Sequence, residues 1–384
     1  MKALVAWVLS AMLGLAGCAS VPSMPPVADL FHDEAFAPPS VLIDPAAALA
    51  VSDTMRHYLA AAIPSPSRRL DKRQHLVDAL LRGELKLEYD SAITRTAAQA
   101  FEARSGNCLA LVLMTAALAK ELGLVVNYQS VIGEPLWDRS EDLQIAVGHV
   151  NLTLQERRES TSLFAISAGP MLIDFLPPRD ARRLVTRPID ERTVIAMYLN
   201  NRAVESLTQG LVDNAYWWAR EAAQVDPELL AAYLTLGVVY RARQLPLAAE
   251  QVLQRVVARE PDNLLALTNR ALVLRDLGRT AEAEALAQRL AALDPNPPFS
   301  HFNAGVAAYR AGRLEDARRL FAKEVARAPY HHEFEFWLGL SYLAQGDAEQ
   351  ATLHLTRAMQ ASTTRKDHDL YAAKLDRLKA LHAQ

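Results

Sequence analysis

Hydrophobic and polar positions divide the chain into three regimes. Ala3 to Leu15 is almost continuously apolar behind Lys2 and ends in Leu15-Ala16-Gly17-Cys18. The run is too short to cross a bilayer as a mature helix, and its charged start and small-residue end are those of an export signal. From 18 to 44 the pattern dissolves into Pro, Ala and Ser, which predicts a tether. Helical patterning then begins, with Ala46–Ala62 and Asp71–Leu81 separated by a Ser-Pro-Ser-Arg-Arg loop. Leu109–Leu122 is an unbroken helix-forming run that Gly123 ends. Leu124–Val131, Val147–Leu154 and Met171–Phe175 read as strands, the second alternating so that Val147, His149 and Asn151 share a face. Beyond about 190 the pattern is helical throughout.

That last stretch is periodic. Ala215, Ala249, Ala283, Ala317 and Ala351 are spaced by 34, as are Pro227, Pro261, Pro295 and Pro329. The clearest unit, Leu230 to Pro261, has Tyr233, Leu236, Gly237 and Tyr240 on a first helix and Ala249, Leu253 and Val256 on a second. Gly305, Phe321 and Gly339 fill matching places later. Small residues let the two helices cross closely, and the proline stops the second. Period and content resemble the tetratricopeptide repeat. The resemblance implies about five repeats over 191–364, the first degenerate with Ala203 in place of glycine, and a polar capping helix over 365–384. Projecting the family pattern puts Met197, Asn200, Leu234, Arg241, Thr268, Arg275, Phe302, Tyr309 and Phe336 on a concave face. Such a face suits an extended peptide, with two arginines for a carboxylate.

Composition narrows the chemistry. The chain has 384 residues, 51% of them hydrophobic, enough for two domains with real cores. A net charge of −3 argues against a nucleic-acid partner. No glycine-rich phosphate loop and no metal-ligand spacing occur, so neither a metal nor a cofactor is expected. The Leu15–Cys18 segment resembles the lipobox of bacterial lipoproteins. That resemblance implies acylation at Cys18, a membrane partner through the lipid anchor, and an envelope location. With no acidic retention residue at Ala19 or Ser20, the periplasmic face of the outer membrane is implied.

If Cys18 carries lipid, Cys108 is the one thiol left. It follows the turn and cap residues Ser105-Gly106-Asn107, at the first turn of the apolar helix. There the helix dipole and unpaired amides favour a thiolate, which predicts an accessible, reactive cysteine rather than an inert one. His149 on one strand and Asp174 on the next complete the layout of a thiol triad. The Arg-Ser-Gly-Asn-Cys motif, the alanine-rich helix and its Leu-Gly-Leu end resemble the transglutaminase-like superfamily of cysteine enzymes, over roughly Leu70 to Pro178. On that resemblance Cys108 is nucleophile, His149 general base and Asp174 the orienting acid. Val150 departs from the aromatic that often follows the histidine. For the oxyanion, the Cys108 amide, Tyr89 and Tyr128 are candidates.

The sequence thus predicts an export signal (1–17), a tether (18–44), an α+β transglutaminase-like cysteine-enzyme domain (45–190) and an all-α tetratricopeptide solenoid. The function implied is an envelope thiol peptidase, amidase or acyltransferase whose repeats recruit a peptide substrate or an envelope protein partner. The alternative is a non-catalytic scaffold lipoprotein whose N-terminal domain has become a binding module. A papain-type or double-glycine peptidase fits less well, because Gln99 is poorly placed before the cysteine.

Overall fold

Every residue from Cys108 to Ala119 is buried, because this helix has no polar stripe to turn toward water. The rest of the N-terminal half is arranged to cover it. The computed structural model describes residues 27–63, 71–81, 85, 87–91, 93–132, 136–140, 143–156, 169–175, 185–329, 331–362 and 364–382. The expected export signal and the expected acylation site, Cys18, lie outside the described residues.

In chain order the half contains α1 (Asp53–Ala62), α2 (Lys72–Leu81), β1 (Glu88–Tyr89), α3 (Ala97–Ala103), β2 (Ser105–Gly106) and the central helix α4 (Cys108–Glu121). The strands β3 (Val125–Ile132), β4 (Leu136–Ser140), β5 (Leu143–Val147), β6 (Val150–Gln155), β7 (Met171–Ile173) and β8 (Val185–Ile189) follow. Four of them form an antiparallel sheet in the order β7-β6-β3-β8, and β4 and β5 pair as a hairpin. Helix α4 packs on β3 and β6 and is flanked by α1, α2 and α3. The expected second strand is interrupted: Gly148 and His149 lie between β5 and β6. The His149 carbonyl still accepts from Val131 N at 2.9 Å, which keeps the histidine in register with the sheet.

The C-terminal half consists of helix pairs. They are α5 (Glu191–Thr208) with α6 (Val212–Val225), α7 (Leu230–Ala242) with α8 (Pro246–Arg259), α9 (Leu264–Asp276) with α10 (Thr280–Leu293), α11 (Ser300–Arg310) with α12 (Leu314–Arg327), and α13 (His332–Ala344) with α14 (Ala348–Ala361). Helix α15 (Arg365–His382) closes the end. A Cβ at Gly237 would stand 2.8 Å from Leu253 Cγ, so the close crossing read from the sequence is present. The turns inside the pairs also keep the period. Gly210, Gly278, Gly312 and Gly346 have φ between 72° and 83°, and Gln244 occupies the equivalent place at φ 62°.

Two features depart from the sequence reading. The solenoid is interrupted after its third pair: α10 and α11 barely touch, and one hydrophobic cluster reaches Val273 while the next begins at Phe299. The period would start α11 at 298, but Pro297 and Pro298 sit there and Phe299 is left-handed at φ 63°. The second departure is the tether. Residues 27–44 are not free chain but lie along α6, α7 and α8. Phe36 stacks on Tyr216 with ring centres 3.9 Å apart. Tyr240 OH donates to the Leu30 carbonyl at 2.5 Å, and Asp33 accepts from Tyr216 OH and Arg220 Nε. Low-complexity composition concealed these contacts because a few well-spaced groups, rather than a periodic face, make them.

Phe36→Ala should therefore lower unfolding stability by about 3 kcal/mol in urea titration. A loss below about 0.5 kcal/mol, usual for an exposed position, would mean that the segment is a tether after all.

Candidate functional site

Cys108 opens α4 and is capped by Asn107, whose Oδ1 accepts from Ala110 N at 2.9 Å. That bond satisfies one of the first-turn amides and leaves those of Cys108 and Leu109 without an intrahelical partner. Gly106 allows the approach into the helix, since a Cβ there would stand 2.8 Å from Ala110 Cβ. The thiol is 6% exposed. The expectation of an accessible cysteine is corrected here: the helix enters the core from its first residue, so a cap sequence did not mean a surface position.

His149 and Asp174 are brought together. His149 Nε2 lies 2.9 Å from Asp174 Oδ1, and both side chains are nearly buried. Continuing the β6–β7 register sets Asn151 opposite Asp174, and Asn151 Nδ2 donates to Asp174 Oδ2 at 2.9 Å. The carboxylate is thus gripped at both oxygens. The other ring nitrogen of His149, Nδ1, has no hydrogen-bond partner among the described residues. Cys108 stands beside the ring closely enough for its thiol to favour the protonated form. The thiol and imidazole are therefore neighbours without a closed hydrogen bond. Burial pulls the imidazole down, but the hydrogen bond to Asp174 and the neighbouring Cys108 outweigh it, and the His149 pKa is raised to about 9. At neutral pH the ring is a cation able to pair with a thiolate.

Of the oxyanion candidates, Tyr128 is already engaged. Its hydroxyl donates to Glu191 Oε2 at 2.8 Å, and burial pushes its pKa up. Tyr89 pairs with Gly106 two places before the thiol and is exposed. Asn151 had been placed on the histidine's face without a role. The alternation carried that signal, but its partner Asp174 is set by sheet register, which the sequence does not print. No group of metal-ligating side chains is found among the described residues.

A concavity of about 770 Å³ lies on the inner side of the first three helix pairs, and Asn200, Leu234, Arg241 and Thr268 line it as expected. Val204, Leu207, Val238 and Leu272 add apolar wall. Asn200 Oδ1 is buried there with no hydrogen-bond partner among the described residues. Arg275 is exposed but is not among the lining residues, and Arg241 is held by Asp276 at 2.6 Å. The expected pair of arginines for a carboxylate is not assembled. The aromatic part of the projection fails at Phe302. Phe302 is 1% exposed among Phe299, Phe321 and Phe334. Tyr309 packs edge-on to Trp337, and Phe336 stacks on Tyr371 of α15 at 4.7 Å. Phe302 thus fills the interior, while Tyr309 and Phe336 are half-buried against a later helix.

Residues 234–298 and 302–364 match the family model of the tetratricopeptide repeat. The helix pairs within those residues are therefore tetratricopeptide repeats, units that stack into a solenoid. Among solved structures, YrrB, described as a tetratricopeptide protein with an unusual peptide-binding site, is 22% identical. That match covers 47% of this chain and 92% of YrrB, with a TM-score of 0.25. A thermophilic tetratricopeptide protein of Thermus thermophilus, TTC0263, is 18% identical over 47% of this chain and 98% of its own, with a TM-score of 0.29. MamA is 20% identical over 41% and 93%, with a TM-score of 0.24. No curated protein matches the chain.

The raised imidazole gives a pH prediction. The unfolded ring titrates near 6.5, so His149 contributes its full stabilisation below that pH and loses it as pH rises through about 9. NMR of the His149 ring should show a midpoint near 9, and Asp174→Asn should move it down. A wild-type midpoint at or below 6.5 would refute the pairing.

Proposed function

We propose that this chain is a peptide- or protein-binding repeat protein whose groove is the recognition surface. The observation that carries this reading is the largely apolar cavity on the inner face of the first three repeats. Asn200, Thr268 and Asn269 add polar groups to its wall. An extended peptide supplies backbone N–H groups at regular intervals, while its apolar side chains suit Leu234 and Val238. The family match supports a protein partner in general.

A second reading is favoured by the His149–Asp174 pair at 2.9 Å with Cys108 beside it. In it the N-terminal domain is a transglutaminase-like cysteine hydrolase acting on what the groove recruits. The Cys108 thiolate attacks an amide carbonyl, and the first-turn amides of α4 face the developing oxyanion. His149 gives its proton to the leaving amine, and Asp174, steadied by Asn151, keeps the ring oriented. Water, activated by the now neutral His149, resolves the thioester; an amine in its place gives acyl transfer. The alternative is an adaptor with an inert thiol domain. The Leu15–Cys18 segment supports lipid anchorage at the envelope in either case. Palmitate label that persists in Cys18→Ala would remove that part.

Two arms test the reading on the soluble protein lacking residues 1–18. Asn200→Ala with Leu234→Glu should weaken binding to peptides selected from an overlapping array by about tenfold or more, about 1.4 kcal/mol. Unchanged affinity would exclude the groove. An electrophilic activity probe for acyl-transfer thiols should label wild type and not Cys108→Ala. A wild type that stays unlabelled would leave the adaptor reading in its place.

A further inference from the structure

Helix α5 carries two adjoining stripes. Asn200, Val204 and Leu207 line the groove. Met197, Asn201 and Glu205, four residues apart along the helix, lie on the next face and meet the thiol domain. A Cβ at Gly148, the neighbour of His149, would stand 3.6 Å from Met197 Cε. The other two residues converge on Thr94, which is 1% exposed. Glu205 Oε1 accepts from Thr94 N at 2.7 Å, and Asn201 Nδ2 donates to Thr94 Oγ1 at 3.3 Å. Arg202 holds the other Glu205 oxygen at 2.8 Å. Thr94 Oγ1 also accepts from Asn107 Nδ2 at 2.8 Å. Asn107 is the residue before Cys108, and its own oxygen caps the cysteine's helix.

A cap needs only the Asn107 oxygen. Here the amide end of the same side chain is also tied, through a buried hydroxyl, to a helix more than ninety residues away in sequence. The side chain is consequently fixed at both ends, and the first turn of α4 is fixed with it.

We propose that Thr94, anchored by Asn201 and Glu205 of the first repeat, is a positioning residue of the thiol site: it sets the Asn107 cap and, through it, the thiol and first-turn amides of Cys108. This rests on the thiol-site reading above. The repeat array then supplies part of the support of the N-terminal site as well as a groove. Thr94→Val keeps the shape and the backbone bond to Glu205 but removes the acceptor for both asparagine amides. Thr94→Ser keeps the acceptor.

The test is the second-order rate of Cys108 alkylation by iodoacetamide at neutral pH, in the protein without residues 1–18, at a temperature where circular dichroism shows each variant folded. Thr94→Val should slow alkylation about tenfold, because a small displacement of a nucleophile is costly, and Thr94→Ser should restore the wild-type rate. A role in folding alone moves the rate the other way, since loosening the domain uncovers a buried thiol. A faster or unchanged Thr94→Val therefore overturns the proposal. If that variant does not fold, Asn201→Ala, at a half-buried position, should slow the reaction by a smaller factor, and no slowing overturns the proposal equally. His149→Ala separates the two levels. If it slows alkylation while Thr94→Val does not, the positioning role falls and the thiol site stands. If neither slows it, the thiol-site reading falls and takes the positioning role with it.

Discussion

A helix without a polar face must be covered on every side, and α4 is that helix. Its burial from Cys108 to Ala119 sets the arrangement around it. The sheet takes one side through β3 and β6, and α1, α2 and α3 take others. The turn at Pro45–Leu49 and helix α5 also pack against it. The first repeat is thus part of the wall of the N-terminal core, and one hydrophobic cluster runs from Leu30 through α4 to Val273. A boundary at 190/191 follows the change of secondary structure but not a boundary of packing. A fragment begun there would uncover Tyr198 and Leu199 and would lack the segment that covers Tyr216 and Tyr240.

What the sequence made legible was periodic or local. The 34-residue spacing gave the repeats, the apolar run gave α4 within a residue at each end, and cap chemistry placed Cys108 at its start. His149 and Asp174 were read from two strand-like segments after the helix and from the family resemblance, and the sheet brings them within 2.9 Å. What stayed hidden depends on contacts between distant segments. Asn107 and Asn201 meet at Thr94, and no local pattern brings those three together. The segment 27–44 has too few apolar residues to announce a packed face, yet Leu30 and Phe36 are buried. Projection of the repeat pattern succeeded at Asn200 and Leu234, where the inner face is open. It failed at Phe302, whose ring is buried against Phe334 of the next pair. Pro295 marked the period, whereas Pro297 and Pro298, which belong to no period, stand where the stack is broken.

The same coupling organises the functional reading. Helix α5 presents one stripe to the groove and the adjoining stripe to the support of Cys108 and His149. A peptide held along the first three repeats would rest on the helix that braces the thiol. Recognition and chemistry, if placed on separately folded domains, would need a linker of defined length to meet. In the proposed reading a shared helix joins them. The interruption between the third and fourth repeats lies on the far side of that shared core, so the last two repeats and α15 form their own hydrophobic clusters.

The central claim is that α4 and the first repeats fold as one cooperative body. Native-state hydrogen exchange in rising urea measures this directly, because it gives an opening free energy for each helix. The account predicts that amides of α4, α5 and α7 converge on a single opening free energy and share one urea dependence. Exchange of α4 through a separate, lower-energy opening while α5 and α7 stay protected would contradict it.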